Sequence, residues 1–181
     1  MNELNFYGID LKYIRNLSKI DDNVMSVSPQ IGKENRPFVG VIVLLNGKNY
    51  CIPLTSPKSK FKTMKSQIDF IKVYDLKQRD KNNNLKLIGV LNINNMIPVD
   101  ESVIFKMNLS VYNTDSVQTK HYKELMQNQL KWCRKNYDII LNRANKVYKL
   151  VTETPDKNRN LVRRSCNYKA LEITLEKFIS K

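Results

Sequence analysis

The chain changes its hydrophobic period once, and the change separates a strand-rich first half from a helical second half. Residues 4–9 are a short apolar–polar stretch that predicts a strand. Asp10 follows in the position of a helix N-cap. Leu11, Ile14, Leu17 and Ile20 then fall on one face of a short helix, closed by Asp21 and Asp22. Residues 23–35 are polar, hold Pro29 and Gly32, and read as a loop. Residues 38–45 form a nearly continuous apolar and β-branched run, Asn46-Gly47 follows, and residues 50–54 are apolar again. Asn-Gly suits a type I′ turn, whose two central residues both need positive φ and whose twist matches paired strands. A hairpin is predicted here, with its first strand buried on both faces, as at the centre of a small barrel. Two more strands are predicted at 68–74 and 85–93, joined by a charged, Asn-rich linker over 75–84, and another at 103–107. Met96-Ile97-Pro98-Val99 reads as an apolar connection, because Pro98 has no amide proton for a central ladder.

Neither Pro nor Gly occurs between residues 116 and 151. Tyr122, Leu125, Met126, Gln129, Leu130, Trp132, Cys133, Tyr137, Ile140 and Leu141 recur there at helical spacing. One long helix, or two meeting near Asn136, is expected. A loop at Thr154-Pro155-Asp156 ends this region. Asn167 then caps a terminal helix carrying Leu171, Ile173, Leu175 and Phe178. The fold class is therefore α+β: a small antiparallel sheet or barrel with helices packed on one side, in a single domain spanning residues 1–181.

Charge changes the picture more than composition does. The chain carries 31 Lys and Arg against 17 Asp and Glu, a net charge of +14, which selects polyanionic partners. Nucleic acid fits better than membrane, since no apolar run approaches the roughly 20 residues needed to span a bilayer. The N-terminus lacks the basic and apolar regions of a secretory signal, so a cytoplasmic protein is expected. Cys51, Cys133 and Cys166 are odd in number and widely spaced, which suits free thiols.

Several chemistries are absent. A paired-histidine nuclease is excluded within one chain, because His121 is the single histidine. The acids are scattered rather than clustered as a two-metal site requires, and no Gly-rich phosphate loop occurs, so no metal and no cofactor is expected. What remains is Thr55-Ser56-Pro57-Lys58 at the end of the hairpin's second strand, where Pro57 stops the ladder. Lys58, Lys60, Lys62 and Lys65 follow with no acid among them. Hydroxyls and an ammonium group fixed at a strand end can orient a phosphate and neutralise charge developing on it. Crowded like charges also disfavour the charged form of each lysine, which makes one of them a candidate acid or base. Local chemistry alone leaves two readings open, a phosphate site or a turn with a solvated basic face. Lys33 and Arg36 precede the hairpin, and Lys157, Arg159, Arg163, Arg164 and Lys169 form a second basic stretch, read as RNA contact or as a flexible surface loop. Tyr112, Tyr122, Trp132 and Tyr137 are more in keeping with core packing than with base stacking, given their helical spacing.

Short pieces in a fixed order give the chain a family resemblance. They are Phe6-Tyr7 with Tyr13-Ile14, Arg36-Pro37-Phe38-Val39-Gly40, Leu54-Thr55-Ser56-Pro57-Lys58, Gly89-Val90-Leu91-Asn92 with Met96-Ile97-Pro98-Val99, Tyr122-Lys123-Glu124-Leu125, and Cys166-Asn167. In these the chain resembles the ToxN/AbiQ family, toxins of type III toxin–antitoxin systems. The resemblance implies an SH3-like antiparallel barrel of the Kid/MazF kind, elaborated with a long helical region and a C-terminal helix. It also implies a metal-independent endoribonuclease that leaves 2′,3′-cyclic phosphate and 5′-hydroxyl ends on cellular mRNA and on its antitoxin precursor. The implied partner is a small repetitive RNA antitoxin, a pseudoknot that closes a protein–RNA assembly over the active site, and the implied roles are abortive phage infection and plasmid maintenance.

Carried over to this chain, Thr55, Ser56 and Lys58 are the implied catalytic group. Arg36 stands where the family often has Lys, which keeps the charge but favours phosphate binding over proton transfer. Lys33, Lys60, Lys62, Lys120, Arg163 and Arg164 are the expected RNA contacts. The family's active-site-loop tyrosine has no match, its place falling at Gln30-Ile31-Gly32. The rival reading is a non-catalytic basic module that binds RNA or DNA; a third is a membrane-surface protein.

Overall fold

The computed structural model describes residues 4–25 and 39–180. The strands are β1 (Phe6–Ile9), β2 (Val39–Leu45), β3 (Lys48–Thr55), β4 (Phe70–Arg79), β5 (Leu85–Asn92), β6 (Ile97–Val99) and β7 (Ile104–Lys106). The helices are α1 (Leu11–Ser18), the single turn α2 (Lys60–Thr63), α3 (Val117–Lys135), α4 (Tyr137–Thr152), α5 (Arg159–Arg163) and α6 (Tyr168–Ile179). Every strand pairing is antiparallel, in the order β4-β5-β3-β2-β1-β7, with β6 beside β3. Among the described residues this path is open, with β4 and β7 at its ends, so the sheet is not a closed barrel.

The hairpin forms where Asn46-Gly47 places it. Both residues have positive φ, 48° and 75°, and Leu45 pairs with Lys48 across the turn. Double-sided burial, however, falls on the second strand and not the first. In β2, Val41, Val43 and Leu45 are buried but Leu44 is 59% exposed, whereas Tyr50, Cys51, Ile52 and Pro53 of β3 are buried in succession. The reason is neighbours. β3 lies inside the sheet, paired with β2 on one edge and with β5 and β6 on the other, and α4 and α6 close over Tyr50 through Tyr148, Tyr168 and Glu172. Gly40 permits the close approach of β2, since a Cβ there would lie 2.2 Å from the Ile52 carbonyl oxygen.

Two expectations along the sheet are corrected. The charged stretch from residue 75 is not a linker at first, because β4 continues to Arg79. Asp75 holds its irregular middle, its Oδ1 accepting from the amides of Lys77 and Gln78 at 2.9 and 3.0 Å. Met96-Ile97-Pro98-Val99 is not merely a connection. Three of its residues form β6 against Asn49, Tyr50 and Cys51, and Pro98 is tolerated because β6 is short and lies off the main path.

The helical half follows its spacing. α3 and α4 meet at Asn136, as one of the two expected alternatives had it. Asp10 caps α1 by accepting from the Tyr13 amide at 2.8 Å, and Asn167 caps α6 by accepting from the Ala170 amide at 3.2 Å. The faces differ in detail. Tyr13 joins Ile14 and Leu17 in the core while Ile20 is exposed, and in α6 Leu171 and Leu175 are buried while Ile173 is 53% exposed. Trp132 packs inside, but Tyr112 and Tyr122 lie on the surface, so core packing does not account for them. Cys51, Cys133 and Cys166 are unpaired and buried, and burial pushes the Cys133 thiol up to about 12. No helix among the described residues is long and apolar enough to cross a membrane.

One polar cluster lies inside the core. Glu172 of α6 is buried, and its Oε1 accepts from the hydroxyls of Tyr50 (2.6 Å) and Tyr148 (2.8 Å). Its Oε2 lies 3.4 Å from Lys48 Nζ and 3.3 Å from Lys169 Nζ. The rings of Tyr50, Tyr148 and Tyr168 pack around it with centroids 5.7–5.9 Å apart. Burial opposes the charge on Glu172, but the hydrogen bonds from Tyr50, Tyr148 and Lys169 outweigh it and hold the carboxyl below its ordinary value.

A carboxyl lowered on folding stabilises above its unfolded-state value, and that stabilisation is lost as pH falls through the folded value. Urea unfolding at successive pH values from about 6 downward, through the ordinary glutamate range near 4.3, should therefore show a steeper loss in the native chain than in Glu172→Gln. Glu172→Ala should cost about 1–3 kcal/mol at neutral pH, because it leaves the buried Tyr50 hydroxyl unpaired.

Candidate active site

Thr55 ends β3 opposite Val90 of β5, and Val90 in turn pairs with Lys72 of β4. Directly opposed residues share a face of the sheet. Thr55, Val90 and Lys72 therefore lie on one face, with the next pair on that face, Asn92 and Phe70, beside them. Leu54, Leu91 and Ile71 turn to the other face and join the main core. The Thr55 hydroxyl is fixed from β5: its Oγ1 accepts from Asn92 Nδ2 at 3.0 Å and lies 3.4 Å from the Val90 carbonyl.

The lysine-rich segment that follows is an anchored turn. The carbonyls of Lys58, Ser59 and Lys60 accept from the amides of Phe61, Lys62 and Met64, each at 3.0 Å, and wind residues 58–64 into α2. Phe61 is the anchor. It packs edge-on against Phe70 at 5.1 Å and, with Val90, forms a second apolar cluster lined by Met64 and Leu87. Lys72 Nζ donates to the Met64 carbonyl at 2.7 Å and pins the return. Ser56, Lys58, Lys60 and Lys62 face solvent around this anchor, and Lys60 Nζ lies 5.1 Å from the Phe61 ring centre. No salt bridge among the described residues takes up a lysine of this segment.

The other expected contacts are placed unevenly. Arg164 donates through Nε to the Asp69 carboxylate, and Asn94 Nδ2 donates to the Arg164 carbonyl at 2.6 Å. Asp69 directly precedes Phe70, so Arg164 stands beside the sheet end that carries Asn92, although part of its guanidinium is committed to an ion pair. Arg163 is exposed next to it. Its stretch is not a flexible loop but a 3-10 turn followed by α5. Lys169 is held by Tyr148 and Glu172. Lys120 lies on α3, where its Nζ donates to the Asn113 carbonyl at 3.3 Å, and His121 beside it is exposed. Lys33, Arg36 and the Gln30-Ile31-Gly32 positions fall outside the described residues. Beyond Lys65 a groove of about 540 Å³ is lined by Ser66, Gln67, Ile68, Asn142, Arg143 and Lys146, among others. Arg143 reaches across it to the carbonyls of Gln67 and Phe70 at 3.2 and 3.3 Å. Among the described residues no three His, Cys, Asp or Glu side chains converge as metal ligands would.

Asn92 and Phe61 were missed as parts of this site. Asn92 belongs to the Gly89-Val90-Leu91-Asn92 piece, but only the β3–β5 register shows that it faces Thr55. The signal for Phe61 is that it is the one aromatic in a run of lysines.

The chain matches the family model described as Toxin ToxN, type III toxin–antitoxin system, over residues 5–176. It is 33% identical over 170 residues to Endoribonuclease ToxN of Bacillus thuringiensis subsp. kurstaki, covering 92% of this chain and 80% of that protein. The solved structure of AbiQ, a lactococcal anti-phage endoribonuclease of the type III toxin–antitoxin system, superposes with a TM-score of 0.80 at 27% identity, covering 99% of this chain and 100% of that one. A bacterial type III toxin–antitoxin structure, described as showing selective toxin inhibition by a non-coding RNA pseudoknot, superposes with a TM-score of 0.78 at 26% identity over 99% and 100% of the two chains.

Phe61→Ala should release the 58–64 turn while leaving the hairpin intact. Hydrogen exchange should accelerate most at the amides of Phe61, Lys62 and Met64, which open locally, while those of β2 and β3 should speed up only by the global loss of stability, at most about 3–5 kcal/mol for one buried aromatic ring.

Proposed function

The chain belongs to the ToxN toxin family of type III toxin–antitoxin systems, and from that premise we propose that it is a metal-independent endoribonuclease working at the Thr55–Lys58 strand end. The observation that carries the reading is the placement of two hydroxyls at the end of a doubly buried strand, with an unpaired ammonium group on the anchored turn that follows. The substrate's own 2′-hydroxyl attacks the adjacent phosphorus. The P–O5′ bond breaks as the P–O2′ bond forms, the 2′ proton passes to a base, and the departing O5′ takes up a proton, leaving a 2′,3′-cyclic phosphate and a 5′-hydroxyl. Thr55 and Ser56 hold the phosphate oxygens, and Lys58 supplies positive charge to the transition state. Arg36 adds a second cation as a phosphate binder rather than a proton carrier.

Lys33, Lys60, Lys62, Lys120, Arg163 and Arg164 serve as backbone contacts, the kind of contact that fixes register without reading sequence. The substrates are cellular mRNA and the toxin's own antitoxin precursor. The partner is a processed RNA pseudoknot repeat that closes an assembly over the site in the cytoplasm; a structural neighbour is described as showing selective toxin inhibition by a non-coding RNA pseudoknot. We read the open sheet as an opened variant of the SH3-like barrel that the family resemblance implies.

Purified protein should cut RNA in EDTA, and a single 2′-deoxy substitution at the cut position should block cleavage there. EDTA-sensitive cutting, or products with 5′-phosphate ends, would overturn the mechanism. Lys58→Ala separates an enzyme from a binding module. An enzyme loses cleavage and keeps most affinity, with the salt slope of binding reduced by about 0.7, one single-strand phosphate contact. A chain that binds RNA but cuts none in any of these assays is the module.

A further inference from the structure

Asn92 closes β5 and occupies the cap position of the 3-10 turn Ile93–Asn95, where an asparagine side chain ordinarily accepts from the following amides. It makes no such bond. Its amide crosses the sheet instead. Nδ2 lies 3.0 Å from Thr55 Oγ1 and 3.5 Å from the Val90 carbonyl oxygen. A carbonyl can only accept, so the NH2 end of the amide faces Thr55. A threonine hydroxyl has one proton and two lone pairs. With one lone pair taken by Asn92, the proton remains to be donated, and among the described residues it is offered only the Val90 carbonyl, at a long 3.4 Å.

We propose that Asn92 is a positioning residue that holds the Thr55 hydroxyl as a hydrogen-bond donor to the scissile phosphate. This rests on the reading of Thr55 as a phosphate-holding group. The donated bond from Asn92 also polarises the Thr55 O–H and makes it a better donor to an anionic oxygen. The frame behind the pair is rigid on both sides. Asn92 is opposed by Phe70, which seats Phe61, and Thr55 is opposed by Val90, which packs against the same ring. The device that fixes the hydroxyl and the device that fixes the Lys58 turn therefore share one patch of sheet.

The chemistry makes the polarity of the Asn92 bond decisive. In Asn92→Asp the side chain keeps its shape but becomes an acceptor, so it accepts a hydrogen bond from the Thr55 hydroxyl, turning that donor away from the substrate, and sets a negative charge beside the phosphate. In Asn92→Ala the hydroxyl is free to turn. The experiment is RNA cleavage under single-turnover and steady-state conditions for Asn92→Ala, Asn92→Asp, Thr55→Val and the two double variants, with thermal unfolding of each. Asn92→Ala should lower kcat on the order of tenfold, the scale of one neutral hydrogen bond, with KM little changed. Asn92→Asp should lower kcat further. In the Thr55→Val background Asn92→Ala should cost almost nothing, because the group it acts through is gone, and Asn92→Asp should cost only what its charge does to the nearby phosphate, less than in the native background. Equal losses in the two backgrounds, a loss confined to KM, or full activity in Asn92→Asp would overturn the proposal. If Thr55→Val cleaves as well as the native chain while Lys58→Ala does not, the assignment of Thr55 fails and this inference fails with it, whereas the endoribonuclease reading stands.

Discussion

The structure turns on the burial of one carboxylate. Glu172 sits inside the protein because the hydroxyls of Tyr50 and Tyr148 point at it and the ammonium groups of Lys48 and Lys169 flank it. Taking a charge out of water costs several kcal/mol unless it is hydrogen-bonded and paired. Glu172 therefore demands that β3, α4 and α6 meet in one arrangement, since each brings a different partner. Loss of any one partner leaves a polar group without its bond, so the cluster selects a geometry more strongly than it adds stability.

That constraint reaches the candidate site through β3. Tyr50 fixes the strand at one end, Cys51–Pro53 are covered on both faces, and Thr55 and Ser56 emerge at the other end. A strand held so firmly presents its last side chains in one orientation, as a group meant to meet a phosphate needs. Beyond it the chain does not fray. Phe61 returns to the sheet and packs on Phe70 and Val90. The small cluster does for the basic turn what the main core does for the strand.

The charge surplus is divided in the same way. Lys48, Lys123, Lys169 and Arg164 are drawn into ion pairs with Glu172, Glu176, Asp115 and Asp69 and serve the fold. Lys58, Lys62 and Lys65 are not, and they lie together around one anchor. Unpaired cations gathered at a fixed point give a local positive field for a polyanion to meet. The number of lysines sets the strength of that field; their anchoring sets where it is centred.

The Asn46-Gly47 turn and the caps at Asp10 and Asn167 were legible in the sequence, and a break near Asn136 was one of the two readings it left open. Each is local: a turn needs positive φ at two adjacent residues, a cap needs an oxygen one turn from its amide, and a helix needs apolar residues at short spacing. The fold class followed from the same periods. Which strand would be buried on both faces did not, because Leu44 and Ile52 are equally apolar and only their sheet neighbours differ. The place of Pro98 in β6, the extension of β4 through charged residues and the burial of Glu172 were hidden for the same reason. At the candidate site, Thr55, Ser56 and Lys58 are adjacent in the chain and were proposed from it. Asn92, 37 residues away along it, became their neighbour only when β5 took its register against β3. Sequence alone determined what is governed by contacts a few residues apart; the tertiary structure decided what depends on which distant backbone lies alongside, because burial and hydrogen-bond partners belong to the pair and not to either residue.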